Sequence, residues 1–319
     1  MELPAPLRQG VDAILRDTPI ADIRKAAELL SQRYRGEVRD GRLHLSERAA
    51  ATAYLATRLP ATYAAVRASL SAIADIRPQW SPRTLLDAGA GPGSALWAAR
   101  DQWPSIEHAT MIEASEPVRQ VGDALARESG ARTTWIAADI ARALPALERA
   151  DLVTLSYVLG ELAPTAIDPL IERLWGLSQD TLLVVEPGTP AGWQRILLVR
   201  DRLIAFGANI IAPCPHAERC PLTAPDWCHF SRRVSRSRTH RLAKDADVPW
   251  EDEKFIYLAA SRTGDPQPMA RVLARPRAAS GTVRLKLCAS TGQLEERLVT
   301  KRQGDAYKAA RRVDWGDRL

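Results

Sequence analysis

Apolar residues recur at two different spacings along the chain, and the spacing changes near residue 80. Before that point they follow helical spacing, as in Ile23, Ala27 and Leu30. After Arg83, short apolar runs alternate with helix-forming stretches, which is typical of strand-helix-strand units in a parallel sheet. We therefore expect an α/β fold in which residues 1–80 form a helical N-terminal region.

Two local features of the helical region lead to further expectations. A helix is predicted to begin after Ser46. Tyr34 lies between Arg33 and Arg35, and this group could touch a partner. We interpret all three as ordinary residues of a solvated helix surface, the usual location of charged side chains.

Residues 81–319 contain seven apolar runs of strand length. The first leads into a glycine-rich turn at residues 89–93, and the others span residues 109–112, 133–137, 151–157, 181–185, 254–260 and 282–288. We expect the last two to form a hairpin that completes a seven-stranded sheet, with the final strand antiparallel to the rest. A cysteine- and arginine-rich insertion is predicted over 208–250, and an exposed Pro-rich loop over 265–277.

The first predicted strand ends in an acidic glycine motif, Asp87-x-Gly89-x-Gly91-x-Gly93. Glycines allow the backbone to approach a ligand closely, and the N-H groups at the start of the next helix can face it. The motif resembles the first motif of class I S-adenosylmethionine-dependent methyltransferases. This resemblance implies a Rossmann-like fold and a cofactor site that includes Asp87, Gly89, Ala90, Gly91 and Gly93.

Acidic residues also follow the second and third predicted strands, where open α/β sheets bind ligands. Glu113 is placed to accept hydrogen bonds from ribose hydroxyls, with Glu116 as the second choice; alternatively, Glu113 is an acid that stabilises a helix N-terminus. The methyltransferase resemblance implies that Asp139 binds the adenine amino group and that Ile140 packs on the ring.

The charge is distributed unevenly along the chain. The net charge is +6, yet residues 1–213 carry 23 Lys and Arg against 25 Asp and Glu, whereas residues 214–319 carry 21 against 13. The C-terminal third is therefore the region expected to meet a polyanion, although a solvated surface is the simpler explanation. No apolar run approaches the length of a membrane span, and residues 1–6 lack the layout of a signal peptide, so we expect a cytoplasmic protein without a membrane partner.

All four cysteines lie in the C-terminal third. Cys214, Cys220 and Cys228 form a Cys-x5-Cys-x7-Cys segment with prolines and histidines, and Cys288 follows far downstream. Four thiolates suit either zinc or an iron-sulfur cluster, and the spacing does not separate the two. Four independent buried thiols are the alternative. His216 and His229 are interpreted as loop residues that satisfy backbone polar groups; alternatively, they hydrogen-bond to the metal ligands.

Five arginines follow Cys228 within a few residues, interleaved with serines. Guanidinium groups and short hydroxyls are the groups that contact phosphate oxygens, so this run is predicted to bind RNA. The arginines are Arg232, Arg233, Arg236, Arg238 and Arg241.

The glycine motif, the cysteine spacing and the sequence Trp-Cys-His-Phe-Ser-Arg-Arg around Cys228 together resemble a known family. It comprises the methyltransferase-like assembly factors of the small ribosomal subunit in mitochondria and their bacterial homologues. The resemblance spans most of residues 40–319. It implies a 4Fe-4S cluster on Cys214, Cys220, Cys228 and Cys288, binding to small-subunit rRNA, and an uncertain methyl-transfer activity.

The segment after the fourth predicted strand lacks the Asn/Asp/Ser-Pro-Pro-aromatic signature of amino-methylating enzymes. A methyltransferase that acts on a base carbon would need a nucleophilic cysteine near this loop, and no cysteine precedes residue 214. Tyr157 and Glu161 are the catalytic candidates, each placed to orient a methyl acceptor. The sequence thus favours a ribosome assembly factor that binds S-adenosylmethionine and small-subunit rRNA, with a four-cysteine metal cluster that orders an arginine-rich RNA-binding loop. The alternatives are an active rRNA methyltransferase, in which catalysis is mostly positioning, and a redox or iron sensor that gates RNA binding.

Overall fold

The computed structural model describes most of the chain: residues 1–37, 44–45, 47–142, 144–264 and 269–319. The predicted helix start at Ser46 and the part of the predicted Pro-rich loop at residues 265–268 lie outside these ranges.

The N-terminal region is helical, as predicted. It contains α1 (Ala5–Leu15), α2 (Ile20–Arg35), α3 (Arg48–Thr57) and α4 (Leu59–Ile76). The buried residues of α2 are Ile23, Ala27 and Leu30, and they belong to the same hydrophobic core as the sheet that follows. Pro60 occupies the first turn of α4, where its missing N-H costs no hydrogen bond. None of the described helices is both long and apolar enough to cross a membrane.

A mixed sheet of eight strands forms the centre of the molecule. Its strands are β1 (Thr84–Ala88), β2 (His108–Ile112), β3 (Arg132–Ile136), β4 (Ala150–Ser156), β5 (Ser178–Pro187), β6 (Asn209–Ala212), β7 (Phe230–Ser235) and β8 (Trp250–Ser261). The helices between them are α5 (Ser94–Gln102), α6 (Glu116–Ala126), α7 (Pro164–Leu177), α8 (Pro190–Ala205) and α9 (Arg238–Lys244).

The strand order is β3-β2-β1-β4-β5-β8-β6. The neighbours from β3 to β5 are parallel, whereas β8 is antiparallel to β5. The carboxyl ends of β1 to β4 therefore meet at one edge of the sheet, the usual ligand-binding edge of such folds. The predicted fold class, a Rossmann-like α/β sheet of the class I methyltransferase type, is confirmed.

Strand β8 is long enough to pair with two different strands along its outer edge. Ala212 of β6 lies opposite Ala259, and Phe230 of β7 lies opposite Phe255. Residues 213–229 leave the sheet edge at the end of β6 and return to the same edge at β7. The segment that carries three of the cysteines is thus an excursion from one sheet edge.

A second, antiparallel sheet of four strands follows. It contains β9 (Arg271–Val272), β10 (Arg277–Ala279), β11 (Thr282–Cys288) and β12 (Leu294–Thr300), and α10 (Asp305–Ala310) packs on it. The predicted strand at 282–288 exists, but it belongs to this sheet and not to the central one. It has its own small core, which includes Val283, Leu285 and Leu287. Strands β6 and β7, which the apolar pattern did not reveal, occupy the edge of the central sheet instead.

Candidate functional site

The glycine turn after β1 has the left-handed backbone that its sequence predicts. Gly89, Gly91 and Gly93 have φ values of 67°, 53° and 90°, a region that side chains with a Cβ rarely adopt. A Cβ at Gly89 would lie 2.7 Å from Cγ2 of Val158. The turn therefore brings its backbone close to the loop after β4 and directs the chain into α5.

One wall of a cavity of about 850 Å³, including its open mouth, is formed by this turn. Of the predicted cofactor-binding residues, seven line the cavity: Asp87, Gly89, Ala90, Gly91, Glu113, Asp139 and Ile140. Gly93 is not among the described lining residues; it closes the turn at the start of α5. The predicted catalytic candidates Tyr157 and Glu161 line the same cavity. The structure therefore brings these two sets of residues together.

Asp87 is a buried carboxyl at the base of this cavity. Thr154 donates a hydrogen bond of 2.6 Å to its Oδ1, whereas its buried Oδ2 accepts none from the described residues. Burial raises the pKa of Asp87 to about 7, and the nearby charge of Glu113 acts in the same direction. A cationic ligand in the cavity would stabilise the ionised form.

Glu113 connects the end of β2 to the glycine turn. Its carboxylate accepts hydrogen bonds from the backbone N-H of Gly91, at 3.0 Å, and of Ser115, at 2.8 Å. Burial still raises the pKa of Glu113 above its usual value. Because each carboxylate oxygen has a further lone pair, the group can also accept ligand hydroxyls. The alternative role at a helix N-terminus is compatible with the bond to Ser115, which precedes α6.

Asp139 lies at the more open side of the cavity. Its Oδ1 accepts a hydrogen bond of 2.9 Å from the backbone N-H of Ala141, and its Oδ2 lies 3.3 Å from Nε of Arg142. Ile140 beside it is buried. A polar acceptor next to a buried apolar side chain is suited to a flat heteroaromatic ring with an amino group.

The loop after β4 carries the two catalytic candidates in different environments. Tyr157 has a φ of 62°, and its hydroxyl donates a 2.8 Å hydrogen bond to Oε1 of Glu253 on β8. Burial raises the pKa of Tyr157 well above its usual value. Burial, together with the charges of Glu113 and Glu186, raises the pKa of Glu161 to about 8.

The N-terminal helices contribute to the cavity wall, which the sequence did not indicate. Tyr34 lines the cavity and meets the ring of His44 edge-on at 5.1 Å, and Nδ1 of His44 lies 3.5 Å from Oε1 of Glu161. Tyr54 also lines it and donates a hydrogen bond to Thr62. The expectation that Tyr34 belongs to a solvated helix surface is therefore wrong. Only its aromatic character beside charged residues could have suggested the contact.

A second cavity, of about 480 Å³ including open space, is lined by all four cysteines. Cys214, Cys220 and Cys228 come from the 213–229 segment, and Cys288 comes from the end of β11. Within the described ranges, however, no three His, Cys, Asp or Glu residues lie close enough together to hold one metal ion. The thiols therefore surround a common space without converging on a single point.

Three of these thiols lie in an apolar environment that disfavours their thiolate forms. Burial raises the pKa of Cys214 and of Cys228, and it raises the pKa of Cys288 to about 12. Nε2 of His216 lies 3.3 Å from Sγ of Cys288, whereas the ring of His229 stacks on Trp227. His229 thus behaves as a loop residue, as predicted, and His216 contacts a thiol.

Two buried arginines hold the cysteine segment in place. Arg200 of α8 donates hydrogen bonds to the carbonyls of His216, at 3.0 Å, and Glu218, at 2.6 Å. Arg271 of β9 donates to the carbonyls of Pro213, at 2.8 Å, and Gly316, at 2.6 Å. Both guanidinium groups line the cysteine cavity. Sequence analysis missed them because their partners are backbone atoms distant in sequence.

The predicted RNA-binding run is not a loop but strand β7 followed by α9. Arg233 is paired with Asp252 at 2.9 Å and lies over the ring of Trp250, and Arg236 is paired with Glu251 at 3.1 Å. Arg232, Arg238 and Arg241 make no ion pair with any described residue, and the first two are exposed. Pairing with acidic residues of β8 thus neutralises part of the run, which a charge count along the sequence did not reveal.

Comparison with protein families gives one match that covers most of the chain. Residues 48–319 match the family described as mitochondrial small ribosomal subunit Rsm22. The chain belongs to the Rsm22 family.

Curated relatives agree with this family. The human protein named ribosome assembly protein METTL17, mitochondrial, is 30% identical over 294 residues, which cover 83% of this chain and 61% of that protein. Two Rsm22-cox11 tandem proteins of Schizosaccharomyces pombe are each 23% identical over 322 residues, which cover 83% of this chain and 42% of each relative. The chain thus spans less than two thirds of the length of these relatives.

Among solved structures, similar chains include methyltransferases of low sequence identity. The magnesium protoporphyrin IX methyltransferase ChlM of Synechocystis PCC 6803 is 15% identical, with a TM-score of 0.42 and coverage of 77% of this chain and 100% of that chain. The precorrin-6y C5,15-methyltransferase of Geobacter metallireducens GS-15 is 14% identical, with a TM-score of 0.41 and coverage of 62% and 87%.

One expectation of the sequence analysis is contradicted by these comparisons. The family description and the names of all three curated relatives are mitochondrial, which points to the mitochondrion and not to the cytoplasm. The prediction of a cytoplasmic protein is therefore wrong.

Proposed function

We propose that this member of the Rsm22 family is an assembly factor of the small ribosomal subunit that binds S-adenosylmethionine, small-subunit rRNA and a four-cysteine metal cluster. The observation that carries the assembly role is the relationship to METTL17, 30% identical over 83% of this chain.

The cavity beside the glycine turn is the proposed S-adenosylmethionine site. Glu113 would accept hydrogen bonds from the ribose hydroxyls, and Asp139 with Ile140 would bind the adenine ring. The cofactor is cationic, which suits Oδ2 of the buried Asp87, an atom that accepts no hydrogen bond from the described residues. When bound, it supplies a methyl group on a positively charged sulfur. The protein residues bind and orient it and keep water from that group.

The cysteine cavity is the proposed cluster site. Four thiols line one space, and four thiolates can bind either a 4Fe-4S cluster or a single zinc ion. We therefore retain Cys214, Cys220, Cys228 and Cys288 as ligands of a 4Fe-4S cluster, with zinc as the alternative. Arg200 and Arg271 would balance the negative charge of the thiolates, since both guanidinium groups line the cavity.

Exposed arginines that make no ion pair with a described residue are the proposed RNA contacts. Among the five predicted residues, Arg232 and Arg238 meet this condition fully, and Arg241 is half-buried. Arg233 and Arg236 already have carboxylate partners. We expect the first group to contribute more to RNA binding than the second.

An active rRNA methyltransferase is a second candidate, because Tyr157 and Glu161 line the same cavity as the glycine turn. A residue with a φ of 62° next to a ligand cavity is typical of a functional site. In that case the main contribution of the protein is to position an RNA atom against the methyl group.

One experiment distinguishes the assembly factor from the active rRNA methyltransferase. Tagged protein is sedimented with small-subunit precursors on a gradient, and the same fractions receive S-adenosylmethionine with a tritiated methyl group. We expect the protein to comigrate with small-subunit precursors, to crosslink to their rRNA and to transfer no tritium. Transfer that is lost in Asp87→Asn would favour the active enzyme. Migration at the top of the gradient, or with the large subunit, would exclude the assembly role.

A further inference from the structure

The C-terminal tail lines part of two clefts that share the side chain of Trp315. The first lies between α4 and β7 and has a volume of about 1010 Å³ with its mouth. The second lies between the cysteine segment and the β9-β11 region and has a volume of about 870 Å³. We refer to these two clefts, joined at Trp315, as the Trp315 groove.

Aromatic rings form a row at the junction of the two clefts. The ring of His229 stacks on Trp227, with centroids 4.9 Å apart and planes at 19°. Trp315 meets His229 edge-on at 4.8 Å. Phe230 and Tyr257 line the first cleft, with ring centroids 5.5 Å apart. Phe230 and Tyr257 are buried, so the half-buried rings of Trp315, His229 and Trp227 are the flat surfaces on which unpaired bases can stack.

The charge of the groove is positive. Its lining contains six cationic and three acidic side chains. Lys286 already forms an ion pair with Asp226, at 2.5 Å, and the buried Arg271 donates a hydrogen bond to the carbonyl of Pro213. The remaining exposed arginines, Arg232 in the first cleft and Arg275 and Arg277 in the second, make no ion pair with a described residue. Guanidinium groups of this kind bind phosphate oxygens.

The tail that carries Trp315 is fixed to the body of the molecule. The N-H of Gly316 donates to the carbonyl of Val272, and the N-H of Leu319 donates to the carbonyl of Ala270, both at 2.9 Å. Arg271 joins the carbonyl of Gly316 to that of Pro213 beside the cysteine cavity. The groove is therefore held by backbone hydrogen bonds, so the binding of a ligand would cost little conformational entropy.

From these observations we propose that the Trp315 groove binds a single-stranded segment of RNA. Bases stack on Trp315 and His229, and phosphates contact Arg232 on one side and Arg275 and Arg277 on the other. The proposal rests on the proposed function, since it specifies where and in what form RNA binds. An RNA duplex keeps its bases stacked on one another, so it cannot use the aromatic row.

The test is fluorescence anisotropy with a fluorescein-labelled single-stranded oligouridylate of about 10 nucleotides, within the site size of known single-strand grooves. Trp315→Ala is expected to weaken binding roughly tenfold or more, because a stacking platform is lost. Trp315→Phe keeps a flat ring and should restore most of the affinity. The matched control is Trp250→Ala, since Trp250 is exposed on β8 but lies outside the groove lining.

A pair of neighbouring arginines tests the phosphate contacts. Successive side chains of a strand point to opposite faces, and Arg232 lines the groove whereas Arg233 is paired with Asp252. Arg232→Gln should reduce the slope of log affinity against log salt by about 0.7, the value for one phosphate contact on a single strand. Arg233→Gln should leave the slope nearly unchanged.

The outcomes separate the groove from the function on which it rests. If the wild-type protein binds the oligouridylate and both Trp315→Ala and Arg232→Gln bind it equally well, the groove proposal fails and the assembly role stands. If an RNA duplex or an acidic polypeptide displaces the oligouridylate as well as unlabelled single strand does, the groove has a different ligand. If the wild-type protein binds neither the oligouridylate nor small-subunit rRNA, the proposed function fails.

Discussion

The two cavities differ in how the chain builds them. The cavity beside the glycine turn is formed at the ends of successive strands, and its carboxylates accept hydrogen bonds from backbone groups close to those strand ends, as Glu113 does from Gly91 and Ser115. The cysteine cavity joins residues 213–229 to Cys288 and is held by two buried arginines that donate to backbone carbonyls. One depends on regular secondary structure, and the other depends on a few long-range contacts.

This difference determines whether a mutation at each cavity is expected to change ligand affinity or the local structure. A side-chain change at the cavity beside the glycine turn should alter ligand affinity while the sheet persists, because the backbone there is fixed by strand pairing. A change at the cysteine cavity should alter the structure of the segment itself, because residues 213–229 contain no helix or strand of their own. The following predictions test this contrast, from the largest effect to the smallest.

Cys228→Ser should abolish the metal site. We expect the wild-type protein, purified without oxygen, to contain iron and labile sulfide and to absorb visible light, and the variant to lose these signals because three thiolates leave the cluster incomplete. Its thermal midpoint should also fall. Metal content and midpoint equal to the wild type would remove Cys228 from the ligand set, and zinc without iron or sulfide would contradict the cluster.

Arg200→Met should lower the free energy of unfolding by about 3 kcal/mol, because two carbonyls lose a charged donor in a buried site. The matched control is Arg202→Met on the same helix, where the guanidinium is more exposed and lies 3.4 Å from Glu172. That change should cost less than about 1 kcal/mol. Denaturant unfolding of both variants gives the comparison, and equal costs would show that the buried contacts add nothing.

Proton binding at Asp87 should control affinity for S-adenosylmethionine. Its pKa is raised to about 7, so the carboxyl is mostly protonated at pH 6 and mostly ionised at pH 8. A cationic ligand favours the ionised form, so the dissociation constant should fall about tenfold between these pH values. Calorimetric titration measures it. Asp87→Asn should flatten the dependence, whereas Glu161→Gln should retain a change centred near pH 7.

The same carboxyl links pH to the stability of the unliganded protein. In the unfolded chain it ionises near pH 4, whereas in the folded chain it holds its proton up to about pH 7. The folded state therefore binds more protons over this interval, and its stability should fall as the pH rises through it. Stability that increases with pH in wild type relative to Asp87→Asn would contradict the assigned environment.

The fold could be predicted wherever a local pattern determines an element. The run into Asp87, the glycines and the acids at Glu113 and Asp139 were sufficient to locate β1, the turn and the ligand-binding edge of the sheet. Strand β7 was missed because alternation in Phe-Ser-Arg-Arg-Val-Ser is masked by its arginines, whose carboxylate partners lie on β8.

The misassigned strand and the missed cavity residues have a different cause. The residues of β11 have ordinary strand character, and no sequence pattern states which sheet a strand joins. Tyr34 contacts the ring of His44, which in turn lies close to Glu161, and Arg271 donates a hydrogen bond to the carbonyl of Pro213. Glu161 and Pro213 are far away in sequence from Tyr34 and Arg271. Such contacts depend on how complete elements pack, so sequence reasoning identified the cysteines but not the arginines that support them.

The position of β6 and β7 on one edge of β8 has an evolutionary consequence. The partners of Ala212 and Phe230 are Ala259 and Phe255, four residues apart on β8, which is about 13 Å of extended chain. A bridge of about four residues would join the two strands directly and preserve every pairing of the sheet. The cysteine segment is therefore a module that a single insertion or deletion could add or remove without any change in the order of the strands.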